Sequence, residues 1–218
     1  MSDWNRREFI GGLSLAGTSG LLVCVAPQYV AADFLSAEGF SDVEYVKKPT
    51  LEDLSTALAS GTVDFSMNFV ANLLKDVDAG RPTVLLAGIH VGCYGLFGTD
   101  RIRTIKDLKG KQVAVPGLGA HHAFLSVMFS YVGVDPRKDV QWITRPRAES
   151  MQLLADGKVD AYFGFAPDPQ ELRARRIGHE VVNSTIDRPW SQYFCCYLAS
   201  TTKCSAAVSG RSGADGWP

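Results

Sequence analysis

The chain has 218 residues, 46% of them hydrophobic and 21% charged, with a formal net charge of −1. That composition is globular with apolar residues enough for a real core, and the length allows one large domain or two small lobes. The even charge balance excludes a nucleic-acid binder working through a basic surface, and five cysteines with no Cys-x-x-Cys pair and no suitable Cys/His spacing exclude a zinc frame, so no cofactor or metal is expected.

The chain opens on Asn5-Arg6-Arg7-Glu8-Phe9-Ile10-Gly11, and a weakly apolar stretch rich in Gly, Ser and Ala runs from Gly11 to Val25. The pair Arg6-Arg7, with Phe9 after one residue, is similar to a twin-arginine export signal. A membrane span needs about 20 predominantly apolar residues, and Gly11, Gly12, Ser14, Thr18, Ser19 and Gly20 dilute this stretch too much. Residues 1–23 are therefore expected to be an export signal, with the twin-arginine translocase as a partner and the periplasm as destination. The alternative is a solvated basic N-terminus leading into a core helix.

Pro27 suits the first turn of a helix, and Tyr29, Val30, Phe34 and Leu35 repeat helically after it. Residues 43–46 alternate like a short strand. Leu51, Leu54, Ala57 and Leu58 share one helical face. A buried strand is expected over 63–67, a helix over 68–79 and a strand over 83–87. A second cycle starts with the Gly-dotted run 92–98 and the helical turn Ile105-Lys106-Asp107-Leu108. Strand 112–116, the loop Gly117-Leu118-Gly119-Ala120 and helix 121–131 follow. Strand 140–143, helix 147–155, strand 159–163, helix 170–176 and strands at 180–182 and 193–198 complete the series. This alternation predicts an α/β protein with largely parallel sheets. Residues 58–65 and 154–161 look alike: each is a helix end, a Gly cap and a strand beginning Val-Asp. They read as one helix-to-strand device used in two similar lobes.

Five motifs then occur in order: Ala26-Pro27-Gln28-Tyr29, Gly61-Thr62-Val63-Asp64-Phe65, Ile105-Lys106-Asp107-Leu108-Lys109-Gly110-Lys111, Gly157-Lys158-Val159-Asp160-Ala161-Tyr162 and Ala166-Pro167. Together, over residues 24–203, they resemble a periplasmic solute-binding protein of the nitrate/sulfonate/taurine type, a class that includes binders of thiamine pyrimidine precursors. The resemblance implies a two-lobed periplasmic-binding-protein type II fold with ligand in the cleft. It also implies delivery of solute to an ABC permease, without catalysis. Lobe 1 is expected at 24–92, lobe 2 at 93–190 and a return strand at 191–203. The family's first strand has only residues 21–25 to come from. Residues 204–218 lose all periodicity and turn Ala/Ser/Gly-rich, where the family continues with helices of the first lobe. Truncation of that lobe is the expectation, and it predicts an incomplete first lobe.

In open α/β sheets, ligands bind beyond the carboxyl ends of strands, where helix N-termini offer unpaired N–H groups. Gln28, Ser66 with Asn68, and Gly117, Gly119 and His121 stand at three such openings. Ser66 and Asn68 either meet ligand or cap a helix. The Gly-Leu-Gly loop is a contact or a turn, and it lacks the third glycine of a dinucleotide fingerprint. His121 and His122 are ligand contacts or solvated residues. His90, after a strand end, reaches a cleft or stays structural. Arg145 and Arg147 could hold an anion bidentately, but a solvated position is the simpler expectation. Phe165, Trp190 and Tyr193 are the aromatic cleft candidates. A pyrimidine-precursor synthase of the same fold, or a solute-sensing domain, is the competing function. Cys195 and Cys196 are the residues an enzyme would use, although their apolar strand-like setting favours inert burial.

Overall fold

The computed structural model describes residues 13–18, 26–37 and 42–204. The chain forms two compact units. Lobe 1 is built from the chain up to His90 and again from Phe194, and lobe 2 from Val91–Tyr193. Lobe 1 runs β1 (Leu13–Thr18), α1 (Ala26–Ala37), β2 (Val43–Lys48), α2 (Leu51–Ala59), β3 (Phe65–Phe69), α3 (Val70–Asp78) and β4 (Thr83–Val91), and regains β10 (Phe194–Thr201) at the end. Lobe 2 runs β5 (Tyr94–Gly98), β6 (Gln112–Val115), α4 (Ala120–Tyr131), β7 (Gln141–Thr144), α5 (Arg147–Ala155), β8 (Ala161–Phe165), α6 (Asp168–Arg175) and β9 (His179–Asn183).

Each lobe carries one five-stranded sheet, ordered β2-β1-β3-β10-β4 in lobe 1 and β7-β6-β8-β5-β9 in lobe 2. The two orders correspond strand for strand. β1 and β6 each lie between two parallel neighbours. β10 and β5 each run antiparallel to the strand beside them, β3 and β8. The α/β, two-lobed expectation therefore holds in both halves.

Local sequence explains the elements. Thr50 opens α2 with a capping box: Asp53 N donates to Thr50 Oγ1 at 3.0 Å, and Thr50 N donates to the Asp53 carboxylate at 3.2 Å. Leu54 and Leu58, one turn apart, are fully buried and pack with Ala57, Val63, Leu73 and Ala199 into the lobe 1 core. In lobe 2, Met151, Leu154 and Val159 pack with Phe97, Ala114, Tyr162 and Leu172. α2 and α5 both run into a glycine in the left-handed region, Gly61 at φ +72° and Gly157 at φ +66°. A side chain is strained there, so glycine ends both helices.

Three residues on, the two lobes use one clamp. In lobe 1, Asp64 N donates to Ser14 O at 3.1 Å, while the Asp64 carboxylate accepts from Ser14 N at 2.9 Å and Ser14 Oγ at 2.7 Å. In lobe 2, Asp160 N donates to Gln112 O at 2.9 Å, and the Asp160 carboxylate accepts from Gln112 N at 3.0 Å. The aspartate of each Gly-x-Val-Asp turn thus holds the first residues of the neighbouring inner strand, β1 or β6. The register agrees beyond it: Leu15 faces Phe65 as Val113 faces Ala161, and Ala16 faces Ser66 as Ala114 faces Tyr162.

Several expected boundaries move. The first strand of lobe 1 lies at Leu13–Thr18, not within 21–25. Residues 13–18 thus belong to the sheet, and a cut after residue 23 would delete the strand that lies between β2 and β3. Residues 1–12 and 19–25, including Arg6, Arg7 and Phe9, lie outside the described residues, as do residues 205–218 of the tail. The strand expected over 63–67 is β3 at Phe65–Phe69, so Asn68 sits inside a strand and opens no helix. β4 extends to Val91 and takes His90 into the strand, rather than leaving it beyond the strand end.

A carboxylate bonded to backbone N–H groups contributes about 1.5–3 kcal/mol. Asp64→Ala should lower unfolding stability by about that amount, and Asp160→Ala by less because its bond to Gln112 is more exposed. Urea midpoints measure both, and unchanged midpoints would show that the clamp carries no stability. A chain begun at residue 24 should lose hydrogen-exchange protection in β2 and β3 while lobe 2 keeps its own.

Candidate functional site

The parallel strands β6, β7 and β8 of lobe 2 each run at their carboxyl ends into a helix. After β6, the loop through Gly117 and Gly119 leads into α4, with Gly119 as the N-cap and no side chain to close it. His121 is the second residue of α4. After β7, Arg145 and Pro146 lead into α5, whose first residue is Arg147. After β8, Ala166-Pro167 leads into α6, whose first residue is Asp168. The topology thus gathers an imidazole, a guanidinium and a carboxylate from three strand ends.

The carboxylate is the anchor. Asp168 is wholly buried and accepts from Arg147 Nε at 2.9 Å, from Arg147 Nη2, and from Tyr162 Oη at 2.5 Å. A buried carboxylate is tolerated only when its oxygens are so bonded. Tyr162 reaches it because Gly164, two residues along the same face of β8, is bare. A Cβ on Gly164 would lie 2.5 Å from the Tyr162 hydroxyl. Burial first, then the Asp168 charge and hydrogen bond, push the Tyr162 phenol well above its ordinary pKa, so it stays a donor. Arg147 is pushed up in turn by its hydrogen bonds to Asp168.

Arg147 lies with its guanidinium carbon 5.4 Å from the centroid of the Phe165 ring, within cation–π range. His121 packs on the same ring at 4.9 Å and edge-on against Tyr94 at 5.5 Å. Tyr94 stacks on Phe163 at 5.0 Å, with Phe124 against both. Burial pushes the His121 pKa down to about 4; the nearby Asp168 charge opposes this and Arg147 adds to it. The ring is therefore neutral near pH 7. Its Nε2 is inaccessible and has no hydrogen-bond partner. Such an atom costs free energy unless something fills its valence.

The other expected site residues divide. Phe165 is half-buried and belongs to this cluster. Trp190 is 8% exposed and packs edge-on against Phe124 and Tyr131. Tyr193 is 66% exposed beyond a short helical turn. Gly117 has open space where a Cβ would stand. In lobe 1, Gln28 is buried in α1 with Nε2 unpartnered, while its backbone O accepts from Tyr45 Oη at 2.5 Å. Ser66 is buried in β3 with an unpartnered Oγ. Asn68 differs: its amide donates to Leu51 O at 2.9 Å and Ser55 Oγ at 3.1 Å, and its oxygen accepts from Phe69 N at 2.7 Å. It ties α2 to β3 and has no group to spare for solute. His90 is half-buried within β4. Arg145 is spent on Glu149 at 3.1 Å and on Thr144 O. Arg147, for which a solvated position is the simpler expectation, is instead the anchored cation of the site; its partner Asp168 lies 21 residues away, past any helical spacing.

The low pKa of His121 links stability to pH. The unfolded ring, with a pKa of about 6.5, binds protons that the folded one refuses, so its contribution is intact above about pH 6.5 and is lost as pH falls toward 4. His121→Phe should flatten this part of the profile. Thermal midpoints of the two proteins between about pH 7 and 4 provide the comparison, and parallel curves would show that His121 is not held neutral by burial.

Comparisons with known proteins agree with this architecture. Residues 24–207 match the family model described as "NMT1/THI5 like". A putative thiamine biosynthesis protein of Haemophilus influenzae is 25% identical over 148 residues, 64% of this chain and 46% of the relative, so the chain spans about half of that relative's length. Among solved structures, the periplasmic aliphatic sulphonate binding protein of Escherichia coli superposes with a TM-score of 0.69 at 18% identity, covering 92% of this chain and 68% of that one. The alkanesulfonate-binding protein of Xanthomonas axonopodis pv. citri, bound to MOPS, gives 0.65 at 18% identity, covering 90% and 68%. At these identities the structural likenesses speak to fold. The family match covers most of the sequence, and by it this chain belongs to the NMT1/THI5 like family.

Proposed function

We propose that this chain is the solute-binding component of an ABC importer, working in the periplasm and passing a small organic or anionic solute to a permease. The observation that carries this reading is the lobe 2 site. A neutral, unpartnered imidazole nitrogen and a fixed guanidinium stand among aromatic rings at the carboxyl edge of parallel strands. That combination of apolar walls and few directed polar groups suits a small molecule. The fold shared with two sulfonate-binding proteins supports the same reading.

Export through the twin-arginine translocase, directed by Arg6, Arg7 and Phe9, is the route proposed. Because Leu13–Thr18 is a sheet strand, the exported protein has to keep residues 13–18, and the intact mass of periplasmic protein checks this. Arg6→Lys with Arg7→Lys should hold the product in the cytoplasm, and undiminished export of that variant would remove the route.

A second reading, an enzyme of pyrimidine-precursor synthesis, is favoured by the likeness to the putative thiamine biosynthesis protein of Haemophilus influenzae. Cys195 and Cys196, its candidate nucleophiles, are buried in β10, which suits packing better than attack. A thermal-shift panel of sulfonates, nitrate, pyrimidines and amino acids on the purified chain tests the binding reading. At least one class should raise the melting midpoint in a saturable way. Pyrimidine-product formation abolished by Cys195→Ser or Cys196→Ser would establish the enzyme instead.

A further inference from the structure

We infer that the amino-terminal edge of the lobe 2 sheet is an electrostatic docking surface for an anionic phospholipid bilayer. This goes beyond the solute-binding reading and does not depend on which solute is bound.

The topology defines the edge. β6 runs parallel to β7 and β8, and β9 runs parallel to β8 because both oppose β5. These four strands therefore begin at the edge away from the candidate site, and β5 ends there. Residues 99–111, 135–140, 156–160 and 173–180 make this edge. Backbone hydrogen bonds tie the first three segments side by side. Gly110 N donates to Asp139 O at 2.6 Å, Gln141 N to Lys111 O at 2.9 Å, and Thr99 N to Asp160 O at 2.9 Å.

Charge is sorted toward this edge. Residues 91–193 hold fourteen Lys and Arg against eleven Asp and Glu, in a chain whose net charge is −1. Eleven of those cations and only seven of the acids lie in the four edge segments. Several of the acids bond back to the backbone. Asp107 accepts from Arg103 N at 2.9 Å and Thr104 N at 2.8 Å, and Asp160 accepts from Gln112 N at 3.0 Å. Asp135 accepts from Arg137 N at 3.0 Å, and Asp139 from Asp135 N at 3.1 Å. The cations point outward instead. Ile102, Ile105 and Leu108, three apart around a 3₁₀ turn, are buried, while Arg103, Lys106 and Lys109 are exposed. Arg101, Arg103, Lys106, Arg137 and Arg176 are exposed and make no ion pair with any described residue.

Two features select a bilayer over a protein partner. Strands about 4.8 Å apart give a five-stranded edge about 20 Å across. Its unpaired cations run from Arg137 beside β7, at one side of the sheet, to Arg176 beside β9, at the other. So broad an array suits charge spread over a surface. Protein interfaces, in contrast, have an apolar core and few lysines. None of the exposed large apolar side chains among the described residues lies in the edge segments. Adsorption is therefore electrostatic, without insertion, and weakens with salt.

The test is co-sedimentation of the purified full chain with vesicles of phosphatidylcholine alone, or of phosphatidylcholine mixed equally with phosphatidylglycerol. Binding is expected only to the anionic vesicles, and it should fall about tenfold or more between about 0.02 M and about 0.5 M salt. Arg103→Glu with Lys106→Glu and Arg137→Glu reverses three unpaired edge cations. It should keep the melting midpoint and weaken binding about tenfold or more. Lys47→Glu with Lys75→Glu and Arg188→Glu changes net charge equally at exposed positions elsewhere. That variant should bind about fivefold or more tightly than the edge variant. Absence of binding to anionic vesicles at low salt, equal binding to neutral ones, or equal loss in the two triple variants would overturn the assignment. Retention on polyglutamate with none on vesicles would also overturn it, in favour of an acidic protein.

Discussion

Both lobes depend on an aspartate carboxylate fixed to the backbone of an inner strand. Asp64 holds Ser14 and Asp160 holds Gln112, each from the end of a turn that a left-handed glycine makes possible. The clamp joins β3 to β1 in lobe 1 and β8 to β6 in lobe 2, across 50 residues in one lobe and 48 in the other. It acts where the strands begin, so it sets the register from which their carboxyl ends are placed. The candidate site lies at those far ends. A shift of one residue between β6 and β8 would turn every side chain of β8 to its opposite face. Tyr162 would then point away from Asp168, and Arg147 would lose the partner that fixes it. The chemistry at one edge of the sheet is thus referenced to a hydrogen bond at the other.

The repeated turn was legible because glycine, valine and aspartate do separate jobs at fixed spacing. Gly61 and Gly157 end helices, Val63 and Val159 enter the core, and Asp64 and Asp160 bond backward. The strand and helix series followed from apolar period, and the two-lobed plan from the order of motifs. β1 was not legible. Leu13-Ser14-Leu15-Ala16-Gly17-Thr18 has the same small and apolar residues as the core of an export signal, and a short apolar run does not declare its conformation. What makes it a strand is Asp64, fifty residues on. β3 lies two residues beyond its expected place for a related reason. Asn68 has the composition of a helix cap, and only its bonds to Leu51 and Ser55 show it buried within a strand.

The candidate site was partly legible. Helix openings after strands single out His121 in lobe 2, as they do Gln28 in lobe 1, and both carry a buried unpartnered nitrogen. In the sequence Arg147 is only one of two neighbouring arginines. Its neighbour Arg145 is a surface ion pair with Glu149, while Arg147 turns inward to a carboxylate brought up by a different strand. Nothing in composition separates the two. Trp190 is a large aromatic near a lobe boundary, and the structure packs it edge-on against Phe124 and Tyr131.

The sheet order of lobe 1 also bears on how the chain is made. β10 lies between β3 and β4, although all of lobe 2 separates it from them in sequence. As the chain leaves the ribosome, lobe 2 has every strand of its sheet by Asn183. Lobe 1 then still shows β3 and β4 with open edges, the kind of surface that invites pairing with another chain. The lobe made first is therefore the one that closes last. Its exposed interval lasts until residues 194–201 arrive, and throughout it the earlier strands depend on the Asp64 clamp and on the α2 core to stay in register.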